Sequence, residues 1–105
     1  MTQTEVIDEI GRRLAEAVPA GSEILLFGSR ARGNAADDSD YDVLVIEPEV
    51  ERPMDESVRL RRLLNGLDCP FDIVVMSAER AQSRARVRGT VVERARREGR
   101  VLVRT

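Results

Sequence analysis

Apolar residues recur at helical intervals near the start of the chain. Val6, Ile7, Ile10, Leu14 and Ala17 share one side of a 3.6-residue period, which predicts a helix over Thr4 to Val18. Thr2 and Glu5 have capping-box spacing ahead of it. Acids early in this stretch and Arg12 and Arg13 late in it complement the helix dipole, and Pro19 and Gly21 end it. The pattern then changes. Glu23 to Phe27 (EILLF) is a short apolar run that reads as a buried strand, and Gly28 makes a turn from which Ser29 to Gly33 begins a short helix. Asn34 to Ser39 is a polar loop, and a second strand runs from Asp40 or Tyr41 to Glu47. After an acidic loop, Pro53 sits at a helix start, and Met54 to Leu64 reads as a helix with Val58, Leu60, Leu63, Leu64 and Leu67 apolar, closed by Asn65 and Gly66. Phe71 to Met76 (FDIVVM) is a third strand. Ser77 caps a further helix, which Gly89 interrupts. Thr90 to Arg97 is a second helical stretch stopped by Gly99, and Val101 to Val103 a short last strand.

Strands and helices in this order predict an α/β (α+β) fold, with one sheet of at least three strands flanked by helices. A length of 105 residues predicts a single domain over 1–105. No apolar run approaches the length of a membrane span, and the acidic N-terminus lacks the apolar core of a secretory signal, so a cytoplasmic location is expected.

Composition narrows the chemistry. The chain has one cysteine, Cys69, and no histidine, so an internal disulfide, a His-containing zinc site and Ser-His-Asp or Cys-His catalysis are excluded. Cys69 beside Pro70 reads as a small packing residue. All 17 basic side chains are arginine, which removes lysine Schiff-base chemistry and is most simply a coding bias. Charge is unevenly spread. Residues 1–79 hold 8 arginines against 17 acids (−9), and residues 80–105 hold 9 against 2 (+7). Such asymmetry points to an acidic partner, nucleic acid or an intramolecular complement. The plainer alternative is that Arg84, Arg86, Arg94, Arg96, Arg97 and Arg100 form a solvated helical face. The only aromatics are Phe27, Tyr41 and Phe71, too few for a base-stacking platform, so direct nucleic-acid binding is not expected.

What remains is carboxylate and hydroxyl chemistry. Asp40 and Asp42 are two apart at a strand entry, which puts both on one face about 7 Å apart, with Tyr41 on the other. Hard oxygen donors of this kind suit magnesium or manganese. Asp72 heads the next strong strand and reaches the same place if the strands are neighbours. Three carboxylates can then hold two Mg2+ ions for phosphoryl or nucleotidyl transfer. Gly28 allows close approach of phosphate, and Ser29 offers a hydroxyl at a helix start. Arg30 or Arg32 can add a phosphate contact. The spacing does not say which one faces the site, and Arg30 stands with Gly28 and Ser29 as the nucleotide-binding set. Asp37 and Asp38 read as solvated loop residues, and Ser39 as support for the turn.

Two other motifs fail. Asp38, Asp40, Asp42 and Glu49 match EF-hand ligand positions, but Val43 occupies the place of the required glycine, inside a β-run. GSRARG has P-loop glycine spacing, but Asn34 stands where the lysine belongs.

The segment LFGSRARGNAADDSDYDVLVIE, with Gly28-Ser29, ten residues, then Asp40-x-Asp42, and with FDIVVM supplying Asp72, resembles the minimal nucleotidyltransferase (MNT) family of the DNA polymerase β-type nucleotidyltransferase superfamily. The likeness extends over almost the whole chain. It implies a nucleotidyltransferase fold with a mixed sheet, a nucleoside triphosphate substrate, usually ATP, bound with magnesium, and transfer of the nucleoside monophosphate to a hydroxyl. Many stand-alone members of the family resemble antitoxins paired with a HEPN-type toxin, which they adenylylate on tyrosine or inhibit by binding. The larger members carry an added helical domain for which 105 residues leave no room, so a partner protein is expected to complete the site. Three functions follow as expectations: a protein adenylyltransferase antitoxin, a non-catalytic antitoxin acting by binding, and nucleotidyl transfer to a small molecule or RNA.

Overall fold

A computed structural model describes all 105 residues. Its elements are α1 (Gln3–Ala15), β1 (Glu23–Phe27), α2 (Ser29–Arg32), β2 (Tyr41–Glu47), α3 (Pro53–Leu63), β3 (Phe71–Ser77), α4 (Ala78–Arg84), α5 (Val91–Glu98) and β4 (Arg100–Arg104). The four strands form one sheet in the order β3-β2-β1-β4. β1 is antiparallel to both β2 and β4, and β2 is parallel to β3 across the α3 crossover, so the sheet is mixed, as expected.

Strand alternation divides the interior into two cores. Ile24, Leu26, Val43, Val45, Ile73 and Val75 face one way and pack against Val6, Ile7, Ile10 and Leu14 of α1 and Leu60 of α3. Leu25, Phe27, Leu44, Ile46 and Met76 face the other way and meet Ala81 of α4 and Val92 and Ala95 of α5. Because helices cover both faces, the central strands read as continuous apolar runs.

The local signals hold. Thr2 and Glu5 form the capping box, and Ser77 and Thr90 accept from Arg80 and Glu93 N–H as caps of α4 and α5. α1 ends at Ala15, earlier than its periodicity predicts, and Ala17 and Val18 contribute to the core from the turn ahead of Pro19. Proline disfavours helical geometry in the residue before it. α3 buries a narrower stripe than expected: Leu60 and Leu64 are fully buried, whereas Val58 and Leu63 are exposed at 49% and 38%. The corner between α5 and β4 leaves no room for a side chain, since a Cβ on Gly99 would collide with the carbonyls of Leu26 and Ala95.

The arginines of the C-terminal segment do not share one helical face. Arg96 and Arg104 both pair with Glu23 of β1, at 2.6 and 2.8 Å, and Arg97 pairs with Glu93 at 3.0 Å. Part of the positive charge is therefore the intramolecular complement of the acidic half.

Glu47 ends β2, at the far end from Tyr41, with 4% exposure and one carboxyl oxygen lacking a partner. Burial, with the Glu56 carboxylate alongside, pushes it up to about 7. The Arg59 guanidinium, 2.7 Å from Glu56, together with Glu47, lowers Glu56 to about 2. One proton shared by the two carboxyls satisfies both. A raised carboxyl favours the fold below its unfolded value and loses that contribution as pH rises through about 7. Melting curves between about pH 4 and 8 should therefore show wild-type Tm falling from about pH 4.5 to about 7 and levelling above, and Glu47→Gln flattening that fall. Equal slopes would refute the assignment.

Candidate functional site

The ends of three strands meet at one end of the sheet. β1 arrives there with Phe27 opposite Asp42, and β2 and β3 depart from it with Asp42 beside Asp72. Neighbours in register share a face, so Asp42 and Asp72 lie side by side, about one strand spacing (~4.8 Å) apart. Asp40 precedes Asp42 by two residues. Tyr41 points into the other core, where its ring meets Phe71 at 5.9 Å between centroids. The expected separation of Tyr41 from the carboxylates is thus observed.

Gly28 follows Phe27 with φ 74° and ψ −160°, a conformation open to glycine and strained for other residues. A second reason for glycine is contact: a Cβ there would strike the Asp42 carboxylate. Ser29 opens α2, whose Ala31 and Arg32 N–H groups bond the Gly28 carbonyl at 3.1 and 3.0 Å. The turn therefore sets Gly28, followed by the half-buried Ser29, against the most enclosed of the three acids.

None of the ion pairs in the chain uses Asp40, Asp42 or Asp72. Burial first, then the charges of Asp72 and Asp40, raise the Asp42 carboxyl above its ordinary range, against a smaller pull from Arg94 and Arg32. The three acid side chains do not converge into a ready cage, which like charges resist. Their chemistry nonetheless fits a hard divalent cation: carboxylate oxygens only, one of them partly desolvated and without a basic partner.

The structure does not bring Arg30 to these acids. Its guanidinium lies over the Tyr41 ring, 4.4 Å from the centroid, and donates to the carbonyls of Asp37 and Ser39 and to the Gln3 side chain. It ties the 34–39 loop to α1. Ser39 supports the same loop by accepting from Ala36 N–H at 2.9 Å. The reason lies in the turn: α2 is a single turn, so Arg30 and Arg32 leave it in different directions. Arg32 faces the acid side and pairs with Glu98 of α5 at 3.0 Å.

Arg94 was not singled out in the sequence for this site. It stands on α5 over the Phe27 ring, 5.6 Å from the centroid, and lowers the Asp42 carboxyl through space. It belongs to no ion pair. Its sequence signal is faint: an arginine beside the buried Val92 and Ala95, 52 residues from Asp42. Cys69 is half-buried against the core, and its thiol is raised by burial, as suits a packing residue.

Comparison with known proteins places the fold. Residues 7–98 match the model of the nucleotidyltransferase domain. The chain belongs to the nucleotidyltransferase domain family. Among solved structures it is similar to a toxin–antitoxin with AMP-PNP (TM-score 0.65, 23% identity, 94% of this chain and 73% of that one). It is also similar to a tri-AMPylated HEPN toxin from Shewanella oneidensis in complex with MNT antitoxin (0.65, 23%, 99% and 74%). A protein of Sulfolobus solfataricus described as a candidate nucleotidyltransferase aligns at TM-score 0.58 and 27% identity over 75% of this chain and 70% of that one. No curated protein matches the sequence significantly.

Two variants probe these contacts. A carboxyl raised in the fold costs stability once ionised, so at neutral pH Asp42→Asn should raise Tm in the absence of divalent ions. Magnesium should raise the wild-type Tm and leave that of Asp42→Asn unchanged. Equal magnesium responses would remove Asp42 from the metal set. Gly28→Ala should destabilise the fold by about 1–3 kcal/mol in denaturant titrations through its backbone conformation, with the collision at Asp42 adding to this. Unchanged stability would contradict the geometry.

Proposed function

We propose that this chain is a magnesium-dependent nucleotidyltransferase that transfers AMP from ATP to a tyrosine hydroxyl of a cognate HEPN-type toxin, and so acts as its antitoxin in the cytoplasm. The observation that carries the reading is the close approach of Gly28, with Ser29 next in the chain, to the Asp42 carboxylate, with Asp72 beside Asp42 in register and none of the three acids in an ion pair. The solved relatives support the choice of nucleotide and acceptor: one is described with AMP-PNP and another with an AMPylated toxin. A further similar structure is a MntA toxin–antitoxin mutant with two Asp-to-Glu changes two positions apart, the spacing of Asp40 and Asp42.

In this reading Asp40 and Asp42 would hold magnesium, and Asp72 would complete the set and help activate the acceptor hydroxyl. Bound there, magnesium would supply charge neutralisation and a lowered pKa for that hydroxyl. The Gly28 backbone admits the triphosphate, Ser29 donates to a phosphate oxygen, and Arg94 offers a free guanidinium on the same face. The acceptor oxygen bonds to the α-phosphorus as the bond to the β-phosphate oxygen breaks. Pyrophosphate leaves, and the hydroxyl proton passes to Asp72 or to water.

A second reading, inhibition by binding alone, draws on the arginines of α4 and the following turn, Arg80, Arg84, Arg86 and Arg88, none of which forms an ion pair within the chain. One experiment separates the two. The protein is incubated with α-labelled ATP, magnesium and the product of the adjacent gene. Label is expected on the partner with wild type and at background with Asp42→Ala. Absence of label with wild type, or equal label with the variant, would sink the transferase reading. Neutralisation of the partner by an unlabelling Asp42→Ala protein would favour binding.

A further inference from the structure

β3 ends the sheet, so one side of its backbone pairs with no other strand. An open groove of about 610 Å³ runs along that side. Val74, Val75 and Met76 all line it. Its lining also joins Pro53 and Met54 of α3, the helix on one face of the sheet, to Arg80, Arg84 and Val92 of α4 and α5 on the other, so the groove crosses the edge of β3. Its two walls differ. On the side of α3 stands Met54, 78% exposed. On the side of α4 stand Arg80 and Arg84, one helical turn apart, and neither guanidinium has an ion-pair partner in the chain. Val91, at the start of α5, adds apolar surface beside them.

We propose that this edge seats an extended segment of the acceptor protein as an added strand, a segment in which acidic and apolar residues alternate. This rests on the reading of the site as one that transfers a nucleotidyl group to a protein hydroxyl. Three observations select the occupant. The free edge supplies backbone donors and acceptors, which a strand satisfies. The alternating side chains of such a strand point in turn to the Met54 wall and to the Arg80 and Arg84 wall, which calls for apolar and acidic residues in turn. Arg80, Arg84, Arg86 and Arg88 form no ion pair in the chain, unlike Arg96, Arg97 and Arg104, and this uncompensated charge beside the groove favours an acidic partner. RNA meets the charge but not the surface, because Phe27, Tyr41 and Phe71 lie elsewhere and no aromatic lines the groove. The placement also suits the chemistry. Asp72 lies two residues before Val74 on the same face of β3, about 7 Å along the strand, so the groove leads to the carboxylates.

The test uses the full chain, labelled with ¹⁵N, and a short synthetic peptide of alternating glutamate and valine with one tyrosine. A lysine-for-glutamate version of the peptide and a short oligoadenylate are the comparison probes. Titration without nucleotide should shift the amides of Val74, Val75 and Met76, and anisotropy should show the acidic peptide binding more tightly than either probe. Arg80→Glu with Arg84→Glu should weaken acidic-peptide binding by about tenfold or more, and Met54→Asp should weaken it too. These side chains are exposed, so melting curves should stay near wild type. Asp42→Asn should bind the peptide as wild type does, which keeps this proposal separate from the transferase reading: groove binding without AMP transfer would remove only the latter. Peptide binding unaffected by the charge reversal, shifts confined to another surface, tighter binding of the oligoadenylate, or a homodimer that the charge reversal dissociates would each overturn it.

Discussion

The carboxylate of Asp42 lies against the α-carbon of Gly28, and the rest of the site depends on that approach. Pairing of β1 with β2 brings Phe27 opposite Asp42, so the residue after Phe27 must turn away directly above an acid. Only a residue without a side chain clears it, and the same residue supplies the positive φ that the turn uses. Ser29 is then fixed by being next in the chain, and Asp72 by the parallel register of β3. A phosphate-sized anion and a divalent cation would find their groups within one turn and two strand ends.

Such an arrangement is unfavourable until something positive enters. Burial and two like charges oppose ionisation of Asp42, and only Arg94 and Arg32, at longer range, favour it. The cost is carried by the two apolar layers on the faces of the sheet, built from residues such as Ile10, Leu26 and Val43 on one side and Leu25, Leu44 and Val92 on the other. The exposed ion pairs add little to this, since pairs in water contribute about 0–1 kcal/mol each. The clamp of Glu23 by Arg96 and Arg104 differs in kind, because it joins three elements and holds its carboxyl below the ordinary range.

Much of this was legible in the chain because it is local. Periods of 2 and 3.6, capping pairs such as Thr2 with Glu5, and turn glycines act over a few residues. Gly28, Ser29, Asp40 and Asp42 stand within 15 positions of each other, so spacing alone grouped them. Side-chain direction was not legible. Nothing in GSRARG tells which arginine leaves a single helical turn toward the acids. Arg30 lies over Tyr41, and Arg32 is the one on the side of the acids. Arg94 required knowledge of how α5 seats on β1, a long-range fact. The pairing of Glu47 with Glu56 and the exposure of Val58 depend in the same way on how α3 sits across the sheet.

The corner at Gly99 has a mechanical consequence. With no space for even a methyl group between the carbonyls of Leu26 and Ala95, α5 and β4 are coupled without slack. β4 is an edge strand, fastened at its far end by Thr105 bonding to Ser22 at 2.9 Å. The chain thus runs from a clasp at one end of the sheet, through a rigid elbow, to the guanidinium over Phe27 at the other. The height of Arg94 above the carboxylates is set by how the last strand is seated, a lever whose fulcrum is one glycine.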